Sequence, residues 1–155
     1  MKQLNAYIFQ ISTSNGGVPK LGLHQTKVTE LGLVGDQHRS ETHGGPERAI
    51  CLYSLERILA LQAEGHPIFP GSAGENVTVS GLDWSQIVPG SRLRLGEEVL
   101  VEVTRYTSPC NNIAGSFVDN QYERISQIRY PGWSRVYARV IRSGNIRVTD
   151  RVVLL

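Results

Sequence analysis

The stretch "SRLRLGEEVLVEVTR", residues 91–105, decides the fold class of this chain. Leu93 and Leu95 alternate with arginines ahead of Gly96, and the alternation resumes after the glycine at Val99, Val101 and Val103. A period of two indicates strands, and a tight turn with glycine between two such runs indicates a β-hairpin. The chain therefore contains at least one antiparallel pair with a buried face.

Further short strands are predicted on both sides of this hairpin. Near the start, two apolar sets alternate and predict a strand covered on both faces, formed by Leu4, Ala6 and Ile8 and by Tyr7, Phe9 and Ile11. Strands are also predicted in "ENVTVSG" (75–81) and "RVYARVIRSG" (135–144). The final run, "IRVTDRVVLL", is expected to pair back on the strand before it. Many short strands at close spacing favour a β-barrel.

One segment has the pattern of a helix. Ser54 can cap it, Leu55, Ile58 and Leu59 share a face, and Gly65 followed by proline ends it. A weaker, short helix is predicted around residues 112–117, where Gly115 argues against a long one. The prediction is a mainly β, barrel-like fold with one or two short covering helices, forming a single domain over residues 1–155.

Composition limits the classes of partner. The net charge is +2 and the basic residues are scattered, so the charge does not indicate nucleic-acid binding. No segment is apolar enough to cross a bilayer, and the start lacks the pattern of a signal peptide. We therefore expect a cytoplasmic protein with no membrane partner. Two cysteines in a reducing compartment do not indicate a structural disulfide.

Three irregular loops, residues 16–22, 35–49 and 67–76, are rich in glycine and proline. Long loops on a β scaffold are the usual place for a site. In "HGGPER", the Gly44-Gly45 backbone can expose N–H groups to an anion, and His43 and Arg48 flank it. The alternative is a plain turn, since Gly-Gly-Pro is common in loops, and on this motif alone the turn is favoured.

The other two loops offer further polar candidates. Lys20 follows "GGVP" and can meet a phosphate as a point charge, although a lone lysine is more often solvated surface. Glu75 and Asn76 enter a strand, where they can orient a heterocycle or satisfy loop backbone groups. A zinc site from His38, His43 and the two cysteines lacks the usual paired ligand spacing.

Cys110, in "TSPCNN" (107–112), has polar neighbours, whereas Cys51 in "RAICLYS" has apolar neighbours that suggest burial. Pro109 restricts the backbone before Cys110, and a short helix after it would favour the thiolate form. A thiolate is both a nucleophile and a soft-metal ligand. The residues alone leave an inert, half-buried cysteine as an equal alternative.

Taken together, these stretches resemble the MOSC domain, the module named for the C-terminal part of molybdenum cofactor sulfurase. The resemblance runs from Gly16 to the C-terminus through "GGVPK", "GLVGDQH", "HGGPERAICLYS", "PGSAGENVTVSGLDW", "PGSRLRLG", "SPC" and "YARVIRSG". It implies a mainly β, barrel-like fold. It also implies that Cys110 is the functional cysteine of the family, which carries sulfur or coordinates molybdenum.

The resemblance implies a set of cofactor contacts as well. Molybdenum cofactor (molybdopterin) would be bound through Cys110, with phosphate or pterin contacts from Lys20, His43, Gly44, Gly45, Arg48 and Arg139 and polar partners in Asp36, Glu75 and Asn76. Arg139 shares a strand face with Tyr137 and Ile141, so that face is expected to look into the pocket.

Two functions follow from the resemblance, and a third possibility stays open. The chain carries no flavin or iron–sulfur segment, so reduction of N-hydroxylated compounds would need an external electron donor. It carries no pyridoxal-phosphate desulfurase segment either, so it is not expected to generate sulfur by that route. Alternatively, Cys110 carries a persulfide between a sulfur donor and an acceptor protein. The third possibility is a MOSC scaffold that has lost cofactor binding.

Overall fold

The structure, a computed structural model, describes residues 5–37 and 45–155. The described residues contain one α-helix, α1 (Leu55–Ala63), and eleven strands: β1 (Ala6–Thr13), β2 (Leu21–Leu23), β3 (Gln25–Thr29), β4 (Gly32–Leu33), β5 (Ile50–Ser54), β6 (Val77–Ser80), β7 (Arg92–Leu95), β8 (Val99–Tyr106), β9 (Val136–Arg142), β10 (Gly144–Arg147) and β11 (Arg151–Leu154). Short 3₁₀-helices occupy Pro46–Arg48, Trp84–Gln86, Asn111–Ser116, Val118–Asn120 and Tyr122–Ile125.

The main sheet closes on itself. Its strands follow the order β11, β7, β8, β9, β5, β6, β1, β2, and β11 also pairs with β1. This last pairing makes a barrel from all of these strands except β2, which extends from the edge of β1. Strands β10, β3 and β4 form a separate small sheet. The mainly β, barrel-like class predicted from the sequence is confirmed.

The hairpin that set the fold class has the expected register. Leu95 pairs with Val99 and Leu93 with Val101, so the apolar face of β7 continues into that of β8. All of these side chains are fully buried and belong to the hydrophobic core. Burying a side chain of this size stabilises a fold by about 1.5–3 kcal/mol.

Helix α1 begins where the sequence predicts. The Ser54 hydroxyl accepts a hydrogen bond from the Arg57 backbone N–H at 3.1 Å, and Gly65 follows the helix with φ of 100°. The buried face is Leu55, Ile58 and Leu61. Leu59 was predicted on this face and is 51% exposed instead. Leu55, Ile58 and Leu61 follow one another at a spacing of three residues and form the face that packs on the barrel wall. Leu59 projects to one side of this face and therefore stays exposed.

The C-terminal pairing differs from the prediction. The final run was expected to pair with the strand before it, β9, but β10 pairs with β3, and β11 pairs with β7 and β1. Between them Thr149 has φ of 79°, its N–H donates to the Ile8 carbonyl, and the Ile8 N–H donates to the Asp150 carbonyl, both at 2.8 Å. These bonds to β1 redirect the chain into the barrel seam, where β11 finds partners on both sides.

The short helix predicted after Cys110 is present as the 3₁₀-helix Asn111–Ser116, and not as an α-helix. Its tighter winding suits a short connector. None of the helices in the described residues is long and apolar enough to cross a membrane.

Alternate residues of β5 and β9 face opposite sides of the barrel wall. Ile50 and Leu52 on β5, paired with Ala138 and Val136 on β9, belong to the core cluster. Cys51 and Tyr137 are also cross-strand partners, but they lie outside that cluster. Because successive strand residues point to opposite faces, this second pair is on the outer wall.

Candidate functional site

A cavity lies against this outer wall, beneath the irregular loops. Its volume is about 80 Å³, several times the volume that one water molecule requires. Four residues proposed from the sequence line it: Lys20, Arg48, Asn76 and Cys110. It is also lined by Gly17, Val18, Gln37, Cys51, Ala73, Gly74, Thr107, Ser108, Asn112, Ile113, Arg135 and Tyr137. The structure thus brings residues from distant loops to one place.

Both cysteines reach this cavity, and neither is in a disulfide. Cys110 is half-buried and directly precedes the 3₁₀-helix, whose Ile113 N–H donates to the Cys110 carbonyl at 3.1 Å. Cys51 is buried, as its apolar neighbours suggested, with its sulfur 3.8 Å from the Thr107 hydroxyl. Burial raises the pKa of the Cys51 thiol. Cys110 is therefore the accessible thiol and Cys51 the sheltered one.

We expect iodoacetamide to label Cys110 and to leave Cys51 unmodified in the folded protein. The thiolate is the reactive form, and Cys51 is both buried and held toward the thiol form by its raised pKa. Mass spectrometry of tryptic peptides would locate the label, with denatured protein as the control in which both react. Selective labelling of Cys51 would contradict the assignment of Cys110 as the working sulfur.

An ion pair and hydrogen bonds join the loops that carry Lys20 and Asp36 to Asn76, which directly precedes β6. The Lys20 ammonium lies 2.6 Å from the Asp36 carboxylate, and both side chains are almost fully buried. Asp36 also accepts from the Asn76 amide at 2.8 Å and from the Ser14 backbone N–H at 3.0 Å. Asn76 Oδ1 in turn accepts the Cys51 backbone N–H at 2.9 Å. Asp36 therefore orients Lys20 and Asn76 at the cavity wall, although it does not itself line the cavity.

The two loops on this side touch backbone to backbone. The Lys20 N–H donates to the Gly71 carbonyl at 2.9 Å. Gly71 has φ of +88°, and a Cβ there would lie 2.5 Å from the Lys20 carbonyl oxygen. Only glycine accommodates both the backbone angle and the contact. This close approach brings Ala73, Gly74 and Asn76 against the loop that carries Lys20.

Glu75 does not face the cavity. It is fully buried, and its Oε2 accepts from the Thr78 hydroxyl at 3.1 Å. Burial raises the pKa of this carboxyl, against the opposing effect of hydrogen bonds from the Gly71 and Glu75 backbone. Glu75 therefore stabilises the loop from its buried side. This matches the alternative in which Glu75 satisfies backbone groups of the loop and does not orient a ligand.

The effect of Glu75→Gln on the free energy of unfolding should depend on pH, because the carboxyl that it removes is buried. Because the folded pKa is raised, the contribution of Glu75 is fully present below the unfolded value of roughly 4.3 and is lost as the pH rises toward the folded pKa. Relative to the parent, the free energy of unfolding of Glu75→Gln should therefore increase between about pH 4 and pH 8. Urea unfolding at both pH values measures it, with the exposed Glu30→Gln as the matched variant. A difference that stays constant would contradict the buried, proton-retaining carboxyl.

Arg135 and Tyr137 line the cavity but were not among the site residues predicted from the sequence. Arg135 is only 5% exposed, and its Nη1 donates to the Ala73 carbonyl at 2.7 Å. Its Nε has no hydrogen-bond partner among the described residues. Burial raises the pKa of Tyr137 to about 12, and the Arg48 guanidinium lies 5.8 Å from the centre of its ring. The alternation in "RVYARV" was the available signal, because residues 135 and 137 share the face that was expected to look into the pocket.

Arg139 is the next residue on that face, but it does not line the cavity. Its guanidinium pairs with the Glu102 carboxylate at 2.7 Å on the outer surface of β8 and β9. Gly45 is exposed and also lies outside the lining. His43 and Gly44 lie outside the described residues, as does His38. In the ranges 5–37 and 45–155, no group of three or more His, Cys, Asp and Glu side chains could hold a metal ion.

Comparisons with known proteins agree with this architecture. The chain is 31% identical over 129 residues to a protein named "Reductase" from Gibberella moniliformis, covering 80% of this chain and 22% of that protein. It is 40% identical over 92 residues to Protein YiiM of Escherichia coli, covering 54% of this chain and 39% of that one. The chain therefore spans well under half the length of both relatives.

The fold also has a solved counterpart. The crystal structure of YiiM from Geobacillus stearothermophilus superposes with a TM-score of 0.75 at 25% identity, covering 97% of this chain and 75% of that one. The family model of the MOSC domain matches residues 39–153. Since this match takes in the barrel strands from β5 to β11 and the segment that carries Cys110, the chain belongs to the MOSC domain family.

Proposed function

We propose that the protein binds molybdenum cofactor in this cavity, with the Cys110 sulfur as a molybdenum ligand, and takes part in the reduction of N-hydroxylated compounds with electrons from an external donor. The observation that carries the proposal is the meeting of one accessible thiol with three basic side chains, Lys20, Arg48 and Arg135, in one cavity. A soft thiolate suits molybdenum, and basic groups suit a phosphate.

The residues present fit this group. The side chains at the cavity supply a sulfur, amide and hydroxyl groups from Asn76 and Thr107, and a buried guanidinium whose Nε lacks a partner among the described residues. A pterin needs donors and acceptors, its phosphate needs cations, and its metal needs a thiolate. When bound, the cofactor supplies the redox chemistry, and the protein supplies binding, orientation and electrostatics.

Each group of the chain has a separate task under this proposal. Cys110 presents its sulfur from the entrance to the 3₁₀-helix, where it is half-buried. Asn76 is held by Asp36 and by the Cys51 backbone, so its position is fixed before any ligand arrives. Lys20 is fixed in the same way by Asp36. Such pre-organisation lowers the cost of ordering the site on binding.

The relative named "Reductase" supports a reductive role, and this chain corresponds to 22% of its length. Electrons would come from an external donor, and the cavity would be where substrate and cofactor meet.

Analysis of protein purified from a molybdenum-replete host tests the proposal. Metal analysis should give molybdenum near one equivalent, and extraction should yield a pterin in matching amount. The loaded protein, supplied with a chemical reductant, should reduce a simple N-hydroxylated amidine. Protein that contains neither molybdenum nor pterin when isolated from a cofactor-competent host would overturn cofactor binding.

A sulfur carrier is the second candidate, because two free cysteines line the same cavity. In that case Cys110 would hold a persulfide and pass its outer sulfur to an acceptor protein. Intact-mass measurement separates the two functions. A mass increase of one sulfur atom on Cys110 that disappears with reductant, without bound molybdenum, would favour the carrier.

A further inference from the structure

We propose that Arg135 binds an oxyanion of the phosphate class on the inner wall of the cavity. The proposal rests on the proposed function only where it considers the phosphate of the cofactor as one source of that anion. An anionic group of a substrate is the other source. In both cases the guanidinium, and not Lys20, is the main determinant of anion binding.

Arg135 is buried without the hydrogen bonds that a buried guanidinium needs. The side chain has five N–H donors. Nη1 donates to the Ala73 carbonyl, and Nε has no partner in the described part of the chain. Leaving a buried charged donor without an acceptor costs more free energy than leaving a neutral donor unpaired. A ligand that offers oxygen atoms at this point would recover that cost.

Arg135 also differs from Lys20 and Arg139 in lacking a counter-ion. Lys20 lies 2.6 Å from Asp36, and Arg139 lies 2.7 Å from Glu102. No carboxylate of the described residues lies within 4.0 Å of the Arg135 guanidinium. Glu75 interacts with Arg135 through space without forming such a pair. The Arg135 guanidinium therefore has no directly paired carboxylate among the described residues.

The surroundings of Arg135 favour a small oxyanion over an apolar group. Thr107 lines the same cavity and offers a hydroxyl. The planar guanidinium can give two parallel hydrogen bonds to phosphate, a geometry that the point charge of lysine does not provide. The volume of about 80 Å³ leaves room for such a group together with water.

The test uses the full chain free of cofactor and titrates inorganic phosphate at constant ionic strength, with chloride as the replaced anion. Isothermal titration calorimetry and melting temperature are the readouts. We expect phosphate to bind and to raise the melting temperature of the parent protein. Arg135→Gln should weaken phosphate binding more than tenfold. Arg139→Gln, on the same strand but outside the cavity, is the matched control and should bind as the parent does.

Arg135→Lys keeps the charge and guards against a variant that fails to fold. It should fold and bind phosphate several-fold more weakly than the parent, because the two-pronged contact is lost. Equal phosphate affinity in the parent and Arg135→Lys would overturn the inference. So would a parent protein on which phosphate has no effect.

The two sources of the anion are separated by repeating the titration with cofactor-loaded protein. Loss of the phosphate response would identify the cofactor phosphate as the natural occupant, and its persistence would identify an anionic substrate group. Molybdenum content is measured independently of phosphate binding. A protein that binds molybdenum when loaded but shows no phosphate effect in its cofactor-free form would therefore overturn this inference alone, and the reverse result would overturn the proposed function alone.

Discussion

Cys110→Ser should lose bound molybdenum while keeping the fold. The change replaces a soft sulfur with a hard, mostly protonated hydroxyl of similar size. Loss of an outer-shell partner already costs about 10–100-fold in metal affinity, so loss of the ligand itself should cost more. Because Cys110 is half-buried at the start of a short 3₁₀-helix, the free energy of unfolding should change by only about 0.5 kcal/mol.

Molybdenum per protein and melting temperature, measured on the same preparations, decide this prediction. Asn111→Ser is the matched control, since Asn111 is the exposed neighbour of Cys110 and does not line the cavity. It should retain molybdenum. If Cys110→Ser melts far below the parent and still retains molybdenum, Cys110 is a packing residue and the assignment is wrong.

Asn76→Ala should produce the larger loss of stability. The side chain is buried and makes three hydrogen bonds, from Nδ2 to Asp36 at 2.8 Å, from Nδ2 to the Ser12 carbonyl at 3.2 Å, and to Oδ1 from the Cys51 N–H at 2.9 Å. Alanine leaves each of these buried partners without its hydrogen bond. At about 1 kcal/mol or more for each one, the free energy of unfolding should fall by roughly 3 kcal/mol.

Such a loss corresponds to a melting temperature about 6–12 °C lower for a chain of this size. Asn112→Ala offers a matched control, because Asn112 also lines the cavity but is exposed. Its melting temperature should shift by no more than a degree or two, the effect of about 0.5 kcal/mol. Equal shifts in the two alanine variants would mean that the Asn76 network contributes little to stability.

The sequence predicts the local elements of this fold better than their partners. The hairpin of β7 and β8 and the Ser54 cap depend on neighbours in the chain, and both are present. Which strand receives β11 depends instead on closure of the barrel, a contact between the two ends of the chain. The outward turn of Leu59 has the same origin, since the helical pattern does not show from which side the wall approaches.

The same division applies to the site. Lys20, Asn76 and Cys110 stand in loops whose composition marks them, and the structure brings all three to one cavity. Arg135 lies on the same alternating face as Tyr137 and Arg139, which is a signal for it in the sequence. It is buried because loops from elsewhere cover the outer wall, and the local sequence does not show how far along the face that covering extends. Arg139 was proposed from the resemblance to the family, but it lies one step beyond the covered region.

Because the cavity lies on the outer wall of the barrel, neighbouring residues of one strand are constrained by different requirements, either core packing or ligand binding. On β5 and β9, one set of alternate positions fills the barrel interior through Ile50, Leu52, Val136 and Ala138. Cys51 and Tyr137, at intervening positions, and Arg135, just before β9, line the cavity instead. Saturation mutagenesis of these strands should therefore give two kinds of position in alternation. Substitutions at core-facing positions should impair folding, and substitutions at cavity-facing positions should change which ligand binds. A barrel arranged in this way can acquire a new specificity one residue at a time without reopening its core.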